Sequence, residues 1–329
     1  MQYNSQVPKP RVIIWGYPLH SHTHSYIHAA FFKAFQFLGY ETHWFDDSNF
    51  PSDFNYENCI FWTEGFADKN IPLRKSSIYF VHVAPDPSKY INAGVKEFID
   101  VRYNHLTHKD HVYEYYIDKL KTQKLSSCVY FEEKKIGTEQ VTNDYVDYQI
   151  TSYRKLYMTW AANYLPYEFN YDDIYIPRVN KIYFSGNLSK KGRNENYSNF
   201  KGFIKAAKRN RIKFISNDPF KNPLSEEEVI HRTQMSILGV DIRGPEHVRN
   251  GYVPCRVFKS ISWGHLGLTN SPEVFRELEG HLILNTDSSA LFSDAMAKRA
   301  DYNFILNAMK YVQSNHTYIN RIQAILSIL

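Results

Sequence analysis

Four stretches of the 329-residue chain carry side chains whose types and spacing could do chemistry. The first is His20-Ser-His-Thr-His24. Neutral imidazole titrates near pH 7 and can act as a general base. A solvated loop is the ordinary alternative, and nothing ranks His20, His22 and His24 against one another. No Asp, Glu or Cys follows at a familiar ligand spacing, so no metal site is expected. The second is Tyr79-Phe-Val-His-Val-Ala-Pro-Asp-Pro87. It sets His82 at the end of an apolar run and Asp86 in a turn bracketed by prolines. A satisfied core histidine is the alternative there. The third is Gly186-Asn-Leu-Ser-Lys-Lys-Gly-Arg193. Its Lys190, Lys191 and Arg193, together with backbone N–H groups at a helix start, would make an anion site. A solvated basic loop is the alternative. The fourth runs from Asn250 to Gly264. Arg256 and Lys259 are three apart, hence on one helix face, near an expected N-terminus. Cations there oppose the helix dipole, which makes sense if an anion compensates them. Tyr252 and Trp263 flank that helix and could stack on a base or a sugar.

The elements that must position these groups alternate. Arg11–Trp15 is expected to be a buried strand and Ser25–Leu38 an amphipathic helix stopped by Gly39. Strands are expected at Thr42–Phe45, Asn58–Thr63 and Ser77–Val83, with weaker ones at Phe98–Tyr103, Cys128–Phe131 and Leu156–Ala161. The pattern breaks between Asn163 and Asn180. It restarts with a strand at Lys181–Ser185, a helix at Phe200–Asn210 and a strand at Lys213–Ile215. A capping box at Ser225–Glu228 opens the next helix. A strand at Met235–Val240, a helix at Cys255–Trp263, strands at Leu266–Thr269 and Leu282–Asn285, and a helical tail from Ser289 complete the series. The fold class is α/β. Two Rossmann-like domains facing a cleft are expected, 1–165 and 181–329, joined by a linker at 166–180. Ligands of such sheets bind where strands end, and all four stretches follow strands or open helices.

Composition narrows the classes. A net charge of +5 is too mild for a dedicated nucleic-acid binder, so no nucleic-acid partner is expected. No apolar run approaches the roughly 20 residues that span a bilayer. The polar Met1–Pro10 segment lacks the core of a secretory signal, and three scattered cysteines suit a reducing compartment, so the expectation is cytoplasmic. The absence of Gly-x-Gly-x-x-Gly and of a P-loop pattern disfavours nicotinamide dinucleotides and P-loop chemistry.

In these residues the chain resembles nucleotide-sugar glycosyltransferases of the GT-B fold. It is most similar to the group-1 family and its CgeB-like branch. Gly186-Asn-Leu-Ser-Lys-Lys-Gly192 resembles the family's Gly-Arg-Leu…Lys-Gly pattern. Ser225-Glu-Glu-Glu with Ser236-Ile-Leu-Gly-Val240 resembles the helix and strand before the donor site. Val253–Asn270 resembles the donor helix and following strand, and His316-Thr-Tyr-Ile-Asn-Arg321 resembles a C-terminal His-Thr-Tyr-x-x-Arg. The loop after the first strand, Phe37-Leu-Gly-Tyr40 and Met158-Thr-Trp-Ala161 resemble parts of the acceptor domain.

The resemblance implies that the second domain binds a UDP- or GDP-sugar and the first a glycan or glycoconjugate acceptor. Lys191 would match the diphosphate-contacting Lys, and His82 the strand-end His near the donor sugar. Gly186, Asn187, Lys190, Arg193, Tyr252, Arg256, Lys259 and Asn270 complete the implied donor set. Two positions depart from the pattern. Asn187 stands where Arg is expected, and Lys259 stands near the place of the ribose-holding Glu, leaving Glu273 as a substitute.

The implied reaction needs no metal or cofactor, because cations and a helix N-terminus can stabilise the departing diphosphate. The His-rich loop, with Asp86, inclines the reading towards inversion. A non-catalytic sugar- or nucleotide-binding module of the same fold is the alternative. A peripheral membrane contact through Phe31, Phe32, Phe35, Phe37 and Lys33 stays open against a core role for those rings.

Overall fold

The computed structural model describes residues 9–103, 123–126, 129–142, 145–191, 195–219, 221–327 and 329, with backbone alone between 123 and 152. Arg193 lies outside the described residues. The chain divides into two compact units. Among the described residues the first holds 9–102, the strands up to Met158, and 322–329; the second holds 103 and 159–321.

Unit 1 is built on β1 (Arg11–Trp15), α1 (Ser25–Phe37), β2 (Thr42–Phe45), β3 (Cys59–Glu64), β4 (Ile78–His82), α2 (Pro87–Asn92) and β5 (Glu97–Arg102). β6 (Gln123–Ser126), β7 (Val129–Thr142) and β8 (Tyr145–Met158) complete its sheet. The strand order is β2-β1-β3-β4-β5-β8-β7-β6. The first six run parallel, and β7 and β6 add antiparallel. The apolar, β-branched and aromatic runs explain these central strands, since a parallel strand is covered on both faces. Alternation then sorts the side chains. Ile13, Trp15, Phe61, Tyr79 and Val81 share one core. Neighbouring positions turn the other way, where Phe31 of α1 stacks on Trp62 at 4.0 Å. Phe31 and Phe35 are therefore core residues, while Phe37 is half exposed. Among the described residues no helix is long and apolar enough to cross a membrane.

Unit 2 contains β9 (Lys181–Ser185), α3 (Tyr197–Arg209), β10 (Lys213–Asn217), α4 (Glu226–Gln234), α5 (Pro245–Arg249), α6 (Cys255–Ser262), β11 (Leu268–Thr269), α7 (Pro272–Glu277) and β12 (Ile283–Leu284). The expected helical tail is broken into α8 (Ser288–Lys298), α9 (Tyr302–Asn315) and α10 (Tyr318–Leu326), of which the residues from Ile322 on belong to unit 1. Asp301 caps α9 by accepting from the Phe304 N–H, which punctuates the tail as capping residues do. β9 pairs with β10 and β11 with β12, both parallel.

The strand expected at Met235–Val240 is not regular. Ser236 Oγ accepts from the Tyr183 N–H at 2.9 Å, and Ile237 N–H donates to Lys181 O. A side chain thus takes a place the ladder would fill, and the segment then makes the isolated Asp241–Thr269 bridge. The stretch read as a linker, 166–180, instead packs into unit 2. Phe169 and Ile174 belong to its core, and Arg178 donates to the carbonyls of Asp173 and Gly264. Two buried apolar side chains and an anchored guanidinium hold it as part of the domain.

Burial in unit 2 carries a pH consequence. His265 is buried, with Nε2 against Thr233 O. Burial first, and the Arg178 charge second, lower its pKa from 6.5 to about 3. The folded chain keeps this imidazole neutral while the unfolded chain protonates it. Stability from this group is therefore complete above 6.5 and declines as pH falls towards 3, by about 1.4 kcal/mol per pH unit. His265→Gln retains a donor for Thr233 O. Its urea midpoints between pH 6.5 and 5 are expected to fall less steeply than wild type. Parallel slopes would contradict this.

Candidate functional site

Unit 1 gathers a histidine–carboxylate cluster at the carboxyl ends of β1, β3 and β4. Period-two alternation turns the last residues of β3 and β4, Glu64 and His82, to the face covered by α1. The two are register partners. His24 N-caps α1 and His28 lies one turn on, with His28 N–H donating to His24 O. Both therefore share a helix face above the strand ends. Gly16, just after β1, leaves room: a Cβ there would lie 2.1 Å from His28 Cε1.

His24 Nδ1 stands 2.7 Å from Glu64 Oε2, and an ionised carboxylate makes the imidazole the donor. His28 Nε2 and His82 Nε2 face each other at 3.0 Å. Glu64, His28 and His82 are fully buried, whereas His22 and His24 are half-buried. Burial, then His24 and His22, lowers His28 to about 3; burial, then His28, depresses His82 strongly. Burial, then His24, also lowers His22. One ligand atom each from His28, Glu64 and His82 lies within 4.8 Å of the others, and the same holds for His22, His24 and Glu64. The expectation of no metal-ligand set rested on spacing along the chain. The fold supplies the missing carboxylate from a different strand.

The other unit 1 candidates lie apart from this cluster. His20 is exposed, and its Nδ1 is 3.3 Å from Tyr26 Oη. Asp86 caps α2, accepting from the Ser88 N–H at 3.1 Å, so its carboxylate holds a helix start rather than facing the histidines. Directly after His82 the chain takes left-handed turns at Val83 (φ 53°) and Ala84 (φ 49°). A β-branched residue there is strained, a feature that gathers at functional strand ends.

Unit 2 builds a cationic cradle where β9 ends. Arg256, in the first turn of α6, donates from Nη2 to Ser185 O at 2.8 Å and lies over the Phe184 ring. Gly186 permits this approach, since a Cβ there would fall 2.4 Å from Arg256 Nη2. Arg243 Nη2 is 2.6 Å from Asp241 Oδ1, and Arg256 Nη1 is 3.9 Å from the same oxygen. Two guanidiniums thus share one carboxylate. Burial, with Arg243 next, lowers Arg256 to about 10. The α6 N-terminus has no side-chain cap and no acidic residue in its first turn. Its free N–H groups add to the positive field beside Arg256.

The remaining donor candidates divide. Tyr252 lies beside the cradle, its ring 5.9 Å from the Arg243 guanidinium. Asn270 clamps the Arg243 backbone through both amide atoms. Lys259 falls in the last turn of α6, because that helix has only eight residues; it does not share the N-terminal position of Arg256. Lys190 and Lys191 are exposed, with Lys190 over the Tyr197 ring. Asn187 is exposed and its carbonyl accepts from Asn196. Glu273 is buried and ion-paired with Arg276 in its own helix. Trp263 is the buried C-cap of α6.

Sequence reasoning missed Glu64, His28, Asp241 and Arg243. The four-residue spacing of His24 and His28 was a usable signal, and so was a carboxylate ending an apolar strand before Gly65. Compared with protein-family models, with curated proteins and with solved structures, the chain finds no match.

Proposed function

We propose that the chain is a glycosyltransferase that moves a sugar from a nucleoside diphosphate-sugar to a hydroxyl of a glycan or glycoconjugate. In this reading the two units form a GT-B pair, unit 2 holding the donor and unit 1 the acceptor. The observation that carries it is the surplus of positive charge at the end of β9. Arg256, Arg243 and the uncapped α6 N-terminus converge there, and among the described ion pairs both guanidiniums share the single carboxylate of Asp241. Negative charge develops on the departing diphosphate, and preorganised cations stabilise it without a metal at that position. Tyr252 stands where a ring could pack on the donor.

For the acceptor, His24 is the group best arranged as a base. It is half-buried, and its Nδ1 is held 2.7 Å from Glu64 Oε2, so a carboxylate orients the imidazole as a base's partner does. A base on the acceptor side goes with inversion at the anomeric carbon.

Thermal melting in the presence of EDTA tests the donor half. UDP or GDP at a hundredfold excess over its Kd is expected to raise the melting temperature by about 5–10 °C. No shift with any nucleoside diphosphate or sugar nucleotide would overturn the reading. Binding without release or transfer of sugar would favour the non-catalytic module, the reading to which Asn187 and Lys259 lend support. NMR of the released sugar's anomer decides the stereochemistry.

A further inference from the structure

We infer that unit 1 carries a divalent transition-metal site in which His28, His82 and Glu64 are the ligands, with His24 orienting the carboxylate. The charge balance of the cluster calls for a cation. Glu64 is fully buried, and among the described ion pairs its one partner is His24. Its Oε1 has no hydrogen-bond partner. A carboxylate removed from water calls for a compensating cation and full hydrogen bonding, and an imidazole on one oxygen meets only part of that demand.

The geometry of the three side chains suits one ion. His28 Nε2 and His82 Nε2 meet at 3.0 Å in a fully buried setting, and a Glu64 oxygen lies within 4.8 Å of a ligand atom on each. Ligand atoms about 2.0–2.2 Å from a shared ion stand at most about 4.4 Å apart, so the two imidazole nitrogens already fit and the carboxylate needs only a small adjustment to join them. His24 holds Glu64 Oε2, which leaves Oε1 for the ion, the arrangement by which outer partners orient a metal ligand. Two imidazoles and one carboxylate select zinc-like or ferrous ions over calcium or magnesium. Three protein ligands leave at least one position open. An exchangeable oxygen ligand, water or a substrate hydroxyl, would complete the sphere.

This site does not rest on the donor reading, and the two are tested separately: nucleotide melting is run in EDTA, metal binding without nucleotide. The full chain, stripped with chelator and dialysed, is titrated with Zn(II) by calorimetry and with Co(II) by visible absorption. One equivalent is expected, with the intense bands of a low-coordinate cobalt centre. His82→Gln and His28→Gln are expected to weaken binding by about 100-fold or more, beyond what loss of an outer partner does. His20→Gln, on the exposed part of the loop, is expected to retain it. Near-ultraviolet circular dichroism reports whether each variant is folded. Glu64→Gln keeps the shape and removes the charge, and in folded form it too is expected to lose the ion. Failure of folded wild type to bind one equivalent would overturn the site. So would full binding by folded His28→Gln, His82→Gln or Glu64→Gln, or loss of binding in His20→Gln alone.

Discussion

Arg256→Met is expected to weaken UDP or GDP binding by about 30-fold or more, a loss of roughly 2 kcal/mol or more, as truncating a desolvated partner of a charged group does. The same change is expected to leave the stability of the unliganded chain nearly unaltered. Arg256 sits beside Arg243, and burial together with that neighbour lowers its pKa to about 10. Its charge is thus disfavoured where it stands. Its bond to Ser185 O and its share of Asp241 offset this only in part. A residue kept for structure would show the opposite pattern, a large stability loss with little change in affinity. Arg256→Lys retains the charge without the planar fork and is expected to recover part of the affinity. Calorimetric titration with UDP and GDP, beside urea unfolding, measures both quantities. An affinity change below about threefold would remove Arg256 from the donor site.

The largest stability effect is expected at Arg321, the last residue of the motif His316-Thr-Tyr-Ile-Asn-Arg321. The resemblance associates that motif with glycosyltransferases, and the structure places it at a buried latch. Arg321 is fully buried and donates to Thr159 O, Trp160 O, Asn315 O and Thr159 Oγ1, with His316 Nδ1 at 3.0 Å. Thr159 Oγ1 passes the connection on to Glu277 at 3.0 Å. The neighbouring strand-like contact, Ala162 N–H to His316 O at 2.8 Å, depends on the same arrangement. Arg321→Met would remove the donor that reaches the carbonyls of Thr159, Trp160 and Asn315 and the Thr159 hydroxyl. The expected cost is about 3–5 kcal/mol, the range for breaking a buried charged network. Arg321→Lys is expected to restore less than half, because one ammonium cannot reach carbonyls arranged for a fork. Urea unfolding checks this, and a loss below about 1 kcal/mol would show the latch to be dispensable.

The sequence by itself determined the α/β class and most of unit 1. β1, α1, β2, β3, β4 and β5 lie within a residue or so of their expected places. Local pattern suffices there, since a buried strand writes an apolar run and α1 writes helical spacing closed by Gly39. It also pointed to the loop holding His20, His22 and His24, to His82 and to Gly186, because the ends of strands form the binding edge of a parallel sheet, and to Arg256 with Lys259 near a helix N-terminus.

Tertiary structure alone decided which of those residues meet. Glu64 reaches His82 through strand register, and His28 reaches both through the docking of α1. Neither relation has a trace in linear spacing, which is why this cluster was not legible in the sequence. The same holds for the cradle. Arg243 was invisible because the segment before it abandons regular pairing for the Ser236 side-chain bond. Lys259 looked equivalent to Arg256 until the length of α6 put it in the last turn. Periodicity reports which face a residue occupies; only the fold reports what stands opposite that face.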